Sequence, residues 1–166
     1  MQSILTTYKT IIRNVARVCG ILGALSLVLL SLLTICDVIL RFFFNSPIVG
    51  SYELTEYMLI PIVFFAIPWA SMEKSNVRVD LIVGRFRRKR RAVIYAISCI
   101  LSIIVTFVFA WFTVPQAFYI QEVRIESEML DIPAYPFYFL TALGFFILFF
   151  VLIDNLIDFI KEAADK

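Results

Sequence analysis

An uncharged stretch from Ala92 to Ile120 most constrains the fold of this chain. A bilayer core about 30 Å thick is crossed by roughly 20 helical residues, so this stretch is long enough to cross one and to tilt or emerge from it. The whole chain is 61% hydrophobic and 17% charged, whereas soluble domains are about half apolar and about a quarter charged. The sequence therefore predicts an integral membrane protein.

Four apolar segments are long enough to be membrane helices. They lack the alternation of barrel strands, so we expect an all-α membrane protein with one four-helix domain over residues 1–166. The predicted spans are residues 18–40, 54–72, 92–120 and 133–153. Pro61 and Pro68 interrupt span 2. We expect a continuous helix whose neighbours satisfy the freed carbonyls, with a re-entrant or broken segment as the alternative.

A cluster of basic residues separates spans 2 and 3. Eight of the fifteen Lys and Arg residues lie between Lys74 and Arg91, and the N-terminal tail adds Lys9, Arg13 and Arg17. The loops after spans 1 and 3 are acidic instead. Because positive charge resists translocation, we predict that both termini and loop 2–3 are cytoplasmic. The cluster is expected to set this topology and to contact anionic lipid headgroups rather than nucleic acid. The residues assigned to this role are Arg85, Arg87, Arg88, Lys89, Arg90 and Arg91.

Signals of catalysis are absent from the sequence. The chain has no histidine, and its three cysteines, Cys19, Cys36 and Cys99, lie inside apolar segments that favour packing over redox chemistry. It has no Gly-rich phosphate loop, nucleophile elbow or cluster of metal ligands. We therefore expect no catalytic residue, no cofactor and no metal, and we do not expect an enzyme.

Four charged residues near the loop between spans 1 and 2 are the candidate functional residues. Asp37 and Arg41 are spaced for an i,i+4 ion pair at the end of span 1, and Glu53 and Glu56 share a helical face at the start of span 2. Three interpretations remain open. The four residues stay hydrated at the membrane interface or brace loop 1–2, they make a polar contact with another membrane subunit, or they belong to an ion or proton site. A carboxylate at membrane depth costs free energy, so its presence there is a hypothesis of function.

Short motifs follow one another in a particular order around the spans. They are Arg41-Phe42-Phe43-Phe44-Asn45-Ser46-Pro47 after span 1, Glu53-Leu54-Thr55-Glu56-Tyr57 opening span 2, Asn76-Val77-Arg78-Val79-Asp80 after it, and Glu126-Ser127 with Leu130-Asp131-Ile132-Pro133 before span 4. The set resembles the small membrane subunit of tripartite ATP-independent periplasmic (TRAP) transporters, the DctQ-like family. The family often has tryptophan shortly before the span 2 glutamate and histidine at the position of Asn76, and this chain departs from both.

The resemblance implies a non-enzymatic partner protein in the bacterial inner membrane. In such systems a large membrane subunit carries substrate and sodium, and a periplasmic binding protein delivers an organic acid such as sialic acid or a C4-dicarboxylate. The small subunit is then a brace for the large one. The alternative is a stand-alone four-helix small-molecule transporter, which would need a carboxylate deep in a helix. A membrane redox enzyme would need cysteine pairs in its outer loops or haem-binding histidines, and the sequence lacks both.

Overall fold

A computed structural model describes residues 2–73 and 88–164, with side chains for 8–73, 93–158 and 160. The described residues form four helices: α1 (Gln2–Phe44), α2 (Ser51–Met72), α3 (Arg88–Val123) and α4 (Tyr135–Ala164). Each helix is long and apolar enough to cross a membrane. The predicted all-α fold with four membrane helices is confirmed.

The helices α1 and α4 extend well beyond the predicted spans, at opposite termini of the chain. α1 begins at Gln2 rather than near residue 18, and α4 continues to Ala164 rather than ending near residue 153. The added segments contain neither proline nor glycine. Charged and polar residues such as Lys, Arg, Glu and Gln are good helix formers, so the helix does not stop where the apolar stretch does.

The second span is one continuous helix, so the broken or re-entrant alternative is not observed. Pro68 is buried inside α2 and has no N–H to donate to the carbonyl of Phe64. Gly144 of α4 packs directly against this site, because a Cβ added to Gly144 would lie 2.7 Å from the Phe64 oxygen. The backbone of α4 thus covers the carbonyl that the proline leaves without its helical donor.

The helices pack in the order α1, α2, α4, α3, with α4 also touching α1. Gly20 allows α1 to approach α2 closely, because a Cβ at this position would overlap the ring of Trp69, whereas a Cβ on Gly23 would make an ordinary contact at 3.4 Å from the Ala66 nitrogen. Aromatic pairs join α3 to α4, including Phe118 with Phe139 and Phe107 with Phe149.

The two ends of the bundle differ. One end, which we call the loop end, carries the connections 45–50 and 124–134, and the other, the termini end, carries the start of α1 and the end of α4. At the loop end α1 and α3 are each followed by a residue with positive φ, Asn45 and Arg124. The Ile125 N–H then bonds the Ile120 carbonyl, which closes α3 with a Schellman-type turn.

Most apolar side chains of the helices face outward. Only 17% to 22% of the residues in the most apolar part of each helix are buried within the chain. Large exposed residues include Ile97, Leu101, Phe112 and Trp111 on α3 alone. In a water-soluble protein such faces would drive association. In a membrane protein they are covered by lipid or by the helices of a partner.

Candidate functional site

Asp37 holds the first loop against the end of α1. Asp37 is only 9% exposed. Its Oδ2 accepts a hydrogen bond at 2.9 Å from Nη2 of Arg41, which lies one helical turn further along α1. Its Oδ1 accepts a second one from the Ile48 N–H at 2.8 Å. The predicted i,i+4 pair is thus present, and the same carboxylate also orders loop 1–2. The side chain of Arg41 is largely exposed, at 64%.

Glu53 has a different set of partners, in the second loop of the same end. Its Oε1 accepts a hydrogen bond from the Met129 N–H at 2.8 Å, and its Oε2 accepts one from the Leu130 N–H at 3.1 Å. Both carboxylate oxygens are therefore used to hold backbone amides 76 and 77 residues away. Hydrogen bonds to a charged acceptor are stronger than those between neutral groups. Glu53 ties loop 3–4 to the first turn of α2.

The second loop is also braced from within. The Ser127 N–H donates to the Ile132 carbonyl at 3.0 Å, and the Ile132 N–H donates to Ser127 Oγ at 3.2 Å. Leu130 packs over Gly50, which has φ +74° and whose added Cβ would lie 2.5 Å from the leucine side chain. Glycine suits this position twice, because it adopts the left-handed backbone and leaves room for Leu130. The two loops therefore form one interlocked surface.

Glu56, less than one turn beyond Glu53, faces a groove instead of a loop. It is exposed and lines a cavity of about 490 Å³ at the loop end, which we call the loop-end cavity. Tyr57 of the same helix, Phe112 and Gln116 of α3, and Tyr138 of α4 line it too. Among the described residues Glu56 has neither a hydrogen bond nor an ion pair in the structure. Of the four predicted residues, it is the one whose charge faces outward unmatched.

A charged contact at the termini end was not predicted from the sequence. Lys9 of α1 donates a hydrogen bond to Asp158 of α4, and its Nζ lies 3.4 Å from Asp154 Oδ1. Nearby, Asn155 Nδ2 donates to the Ser71 carbonyl at 3.0 Å and so joins α4 to the last turn of α2. The only sequence signal is the i,i+4 spacing of the two aspartates, which places them on one face of α4.

The basic cluster lies partly outside the described residues. This applies to Arg85 and Arg87, while Arg88, Lys89, Arg90 and Arg91 have a helical backbone at the start of α3 but no described side chain. Their role as lipid-facing and topology-setting residues stays a prediction. The three cysteines are free, with Cys19 and Cys99 buried and Cys36 exposed. The Cys99 thiol donates to the Leu152 carbonyl, so it packs α3 on α4.

The chemistry offered by the described residues is that of structural contacts. Within these ranges no group of three or more His, Cys, Asp or Glu residues is arranged to hold a metal ion. The carboxylates of Asp37 and Glu53 accept backbone hydrogen bonds, and those of Asp154 and Asp158 face one lysine. These contacts fix the two ends of the four-helix bundle, whose outer faces are largely exposed within the chain.

Comparisons with known proteins agree with this architecture. The profile of a family described as tripartite ATP-independent periplasmic transporters, DctQ component, matches residues 30–162. A Haemophilus influenzae protein provisionally named a TRAP transporter small permease protein is 24% identical over 150 residues, which cover 87% of each chain. The match begins within α1 and ends within α4, so it includes α2, α3, both loops of the loop end and parts of the first and last helices. The chain belongs to the DctQ family of TRAP transporter components, a family of transport proteins.

Proposed function

We propose that this chain is the small permease subunit of a TRAP-type secondary transporter in the bacterial inner membrane. In this role it braces the large membrane subunit during sodium-coupled uptake of an organic acid, such as sialic acid or a C4-dicarboxylate, delivered by a periplasmic binding protein. The observation that carries the proposal is the combination of membership in the DctQ family with helices whose apolar faces are mostly uncovered. Such faces suit a subunit that packs beside another membrane protein.

The distribution of charge supports a scaffold rather than a carrier. The middle parts of the four helices, residues 18–36, 57–72, 92–120 and 135–153, contain no charged residue. A transporter that couples substrate to an ion normally places ionisable or polar ligands near the bilayer midplane. The charged groups of the described side chains are instead concentrated towards the helix ends, as with Asp37, Glu53 and Asp154. The substrate and sodium sites are therefore assigned to the large subunit.

The loop end fits a surface that meets other proteins. With both termini in the cytoplasm, this end faces the periplasm. It carries exposed apolar side chains, Val49, Tyr52 and Met129, beside the acidic residues of loop 3–4. Because Glu53 and Asp37 hold both loops in place, the surface is ordered before any partner arrives, which lowers the entropy cost of binding. We assign it as part of the docking surface for the periplasmic binding protein.

The test is reconstitution of the subunits separately and together. Proteoliposomes would contain this chain, the large subunit, or both, with a sodium gradient and the binding protein outside, and uptake of radiolabelled sialic acid and C4-dicarboxylates would be measured. Uptake is expected only when both membrane subunits are present. Uptake by this chain alone would overturn the proposal in favour of a stand-alone four-helix transporter.

A further inference from the structure

A groove runs along the bundle between α2 and α3, with α4 as its floor. The loop-end cavity occupies one part of it, and a second cavity of about 390 Å³, lined by Ser71, Thr106 and Leu152 among others, occupies the part nearer the termini end. From Glu56 to Ser71 the groove follows α2 for about 22 Å. This is most of the thickness of a hydrocarbon core, which is about 30 Å. The groove is therefore long enough to hold most of the membrane-crossing part of a helix.

Aromatic rings give the groove a firm floor. Phe145 of α4 lies between the two cavities along its helix, with its ring 5.0 Å from that of Phe64 on α2 and 5.6 Å from that of Phe109 on α3. At the loop end the ring of Tyr57 stacks on Phe137 at 4.3 Å. Rings of α4 thus contact rings on both α2 and α3, which pack on either side of α4. The groove between α2 and α3 results from this packing.

Glu56 and Gln116 both line the loop-end cavity, and neither has a hydrogen bond or an ion pair among the described residues. Glu56 lies five residues inside α2, about 7.5 Å from its start, and Gln116 lies seven residues, about 10 Å, before the end of α3. Placing an unpaired carboxylate and an unpaired carboxamide in hydrocarbon costs free energy. The wall of α2 thus offers a negative charge, and the wall of α3 offers both a donor and an acceptor. A partner complementary to this cavity carries a positive charge with hydrogen-bonding groups beside it.

We propose that the groove receives a membrane helix of the large subunit, and that a Lys or Arg of this helix pairs with Glu56 in the loop-end cavity. The proposal rests on the proposed function, because it names the surface by which the small subunit braces the large one. Seated there, the partner helix contacts α2, α4 and α3 at once. It covers the exposed side of Phe112, which is 68% exposed in the isolated chain.

A lipid is the competing occupant, and the polar groups argue against it. An acyl chain would leave the Gln116 carboxamide, which is below the end of α3, in contact with hydrocarbon alone. A lipid ammonium group could reach Glu56 but belongs at the headgroup level. A helix with one basic residue satisfies the carboxylate and provides further donors and acceptors at the depth of Gln116. Charge complementarity therefore favours the helix.

Photocrosslinking from two adjacent residues tests the position of the partner. Benzoylphenylalanine would replace either Phe112, which lines the cavity, or Trp111, which is 66% exposed but points to another face of α3. The two positions share depth and exposure, so they differ only in direction. In the intact complex, position 112 is expected to crosslink to a membrane helix of the large subunit at least tenfold more than position 111. Equal crosslinking at both positions, or a phospholipid adduct at 112 instead, would overturn the proposal.

The charge is tested separately with Glu56→Gln, which keeps the shape of the side chain. The affinity of the large subunit for this variant in nanodiscs is expected to fall by about tenfold, as for the loss of one charge-assisted contact. Glu73→Gln, an exposed acidic residue at the other end of α2, is the matched control and should leave the affinity unchanged. Unchanged affinity for Glu56→Gln, or a crosslinked peptide without Lys or Arg, would overturn the assigned ion pair.

These results separate the groove from the wider function. If the two membrane subunits copurify and transport together but position 112 does not reach the large subunit, the groove is wrong and the proposed function stands. If this chain neither copurifies with the large subunit nor supports uptake, the proposed function itself fails, whatever occupies the groove.

Discussion

The carboxylate of Glu53 accepts a hydrogen bond from the backbone N–H of Met129 at 2.8 Å. This contact joins the first turn of α2 to a loop that follows it by 76 residues. Because the other oxygen of Glu53 binds the next amide, of Leu130, a single side chain satisfies two consecutive backbone donors. Glu53 thus fixes loop 3–4 to the first turn of α2.

Glu53→Gln is therefore expected to destabilise the loop end. The amide side chain retains one oxygen acceptor, and its NH₂ group faces the second backbone N–H, so one hydrogen bond to a charged acceptor is lost. We expect a loss of about 1–3 kcal/mol, measured as a lower thermal midpoint in detergent together with faster proteolysis of loop 3–4. Glu122→Gln, at an exposed acidic residue near the end of α3, is the control. Equal behaviour of the two variants would show that Glu53 does not hold the loop.

Asp37 and Arg41 are expected to contribute unequally, although they form one ion pair. Asp37→Ala leaves the Ile48 N–H without its acceptor as well as removing the pair, so we expect a loss of about 1–3 kcal/mol. Arg41→Ala removes only a pair whose basic partner is largely exposed, so the expected loss is about 0–1 kcal/mol. Thermal unfolding of both single variants and the double variant measures this. A larger effect of Arg41→Ala would contradict the assignment of loop 1–2 to Asp37.

Gly144→Ala is expected to disturb the contact between α2 and α4. The new Cβ would lie 2.7 Å from both the Cβ and the carbonyl oxygen of Phe64, and a backbone atom cannot rotate away. Overpacking of this kind costs about 1–3 kcal/mol. Gly23→Ala is the matched control, because its nearest neighbours lie at 3.4 Å and the helix gains from alanine. We expect a lower thermal midpoint for the first variant and little change for the second.

Lys9→Met is expected to destabilise the termini end because it leaves Asp154 and Asp158 facing each other without a cation. The methionine keeps most of the apolar stem, so the effect reports on the charge. A loss of about 1–3 kcal/mol is expected, as for other contacts to charged groups. Arg13→Met, on the exposed side of the same helix, should change the midpoint little. Adding Asp154→Asn and Asp158→Asn to Lys9→Met should recover part of the loss, and no recovery would contradict an electrostatic origin.

We expect the loop end to lie on the periplasmic side of the membrane. Single cysteines at Ser46, Ser75 and Ser127, in a background without the three native cysteines, would be exposed to an impermeant thiol reagent in intact spheroplasts. Labelling is expected at Ser46 and Ser127 and not at Ser75, because the basic loop stays on the cytoplasmic side. The reverse pattern would invert the bundle and remove the loop end as a surface for a periplasmic partner.

The four helices could be predicted from the sequence because continuous apolar stretches have few stable alternatives in a membrane. The ends of α1 and α4 could not, since helical structure continues through polar residues that lack proline or glycine. The pair of Asp37 and Arg41 was predictable because helical geometry places residues four apart together. The partners of Glu53 were not, because Met129 and Leu130 offer only backbone groups, which any residue type would provide.

The sequence by itself determined the class of protein, the number of helices and the charge asymmetry that predicts their orientation. These follow from hydrophobicity and charge along the chain, which act locally and do not depend on which helix is next to which. Only the tertiary structure decided that Lys9 meets Asp158, that Glu53 holds loop 3–4, and that Glu56 faces an open groove. Such contacts depend on the order α1, α2, α4, α3 in which the helices pack, and this order is set by close fits such as that of Gly144 against Phe64.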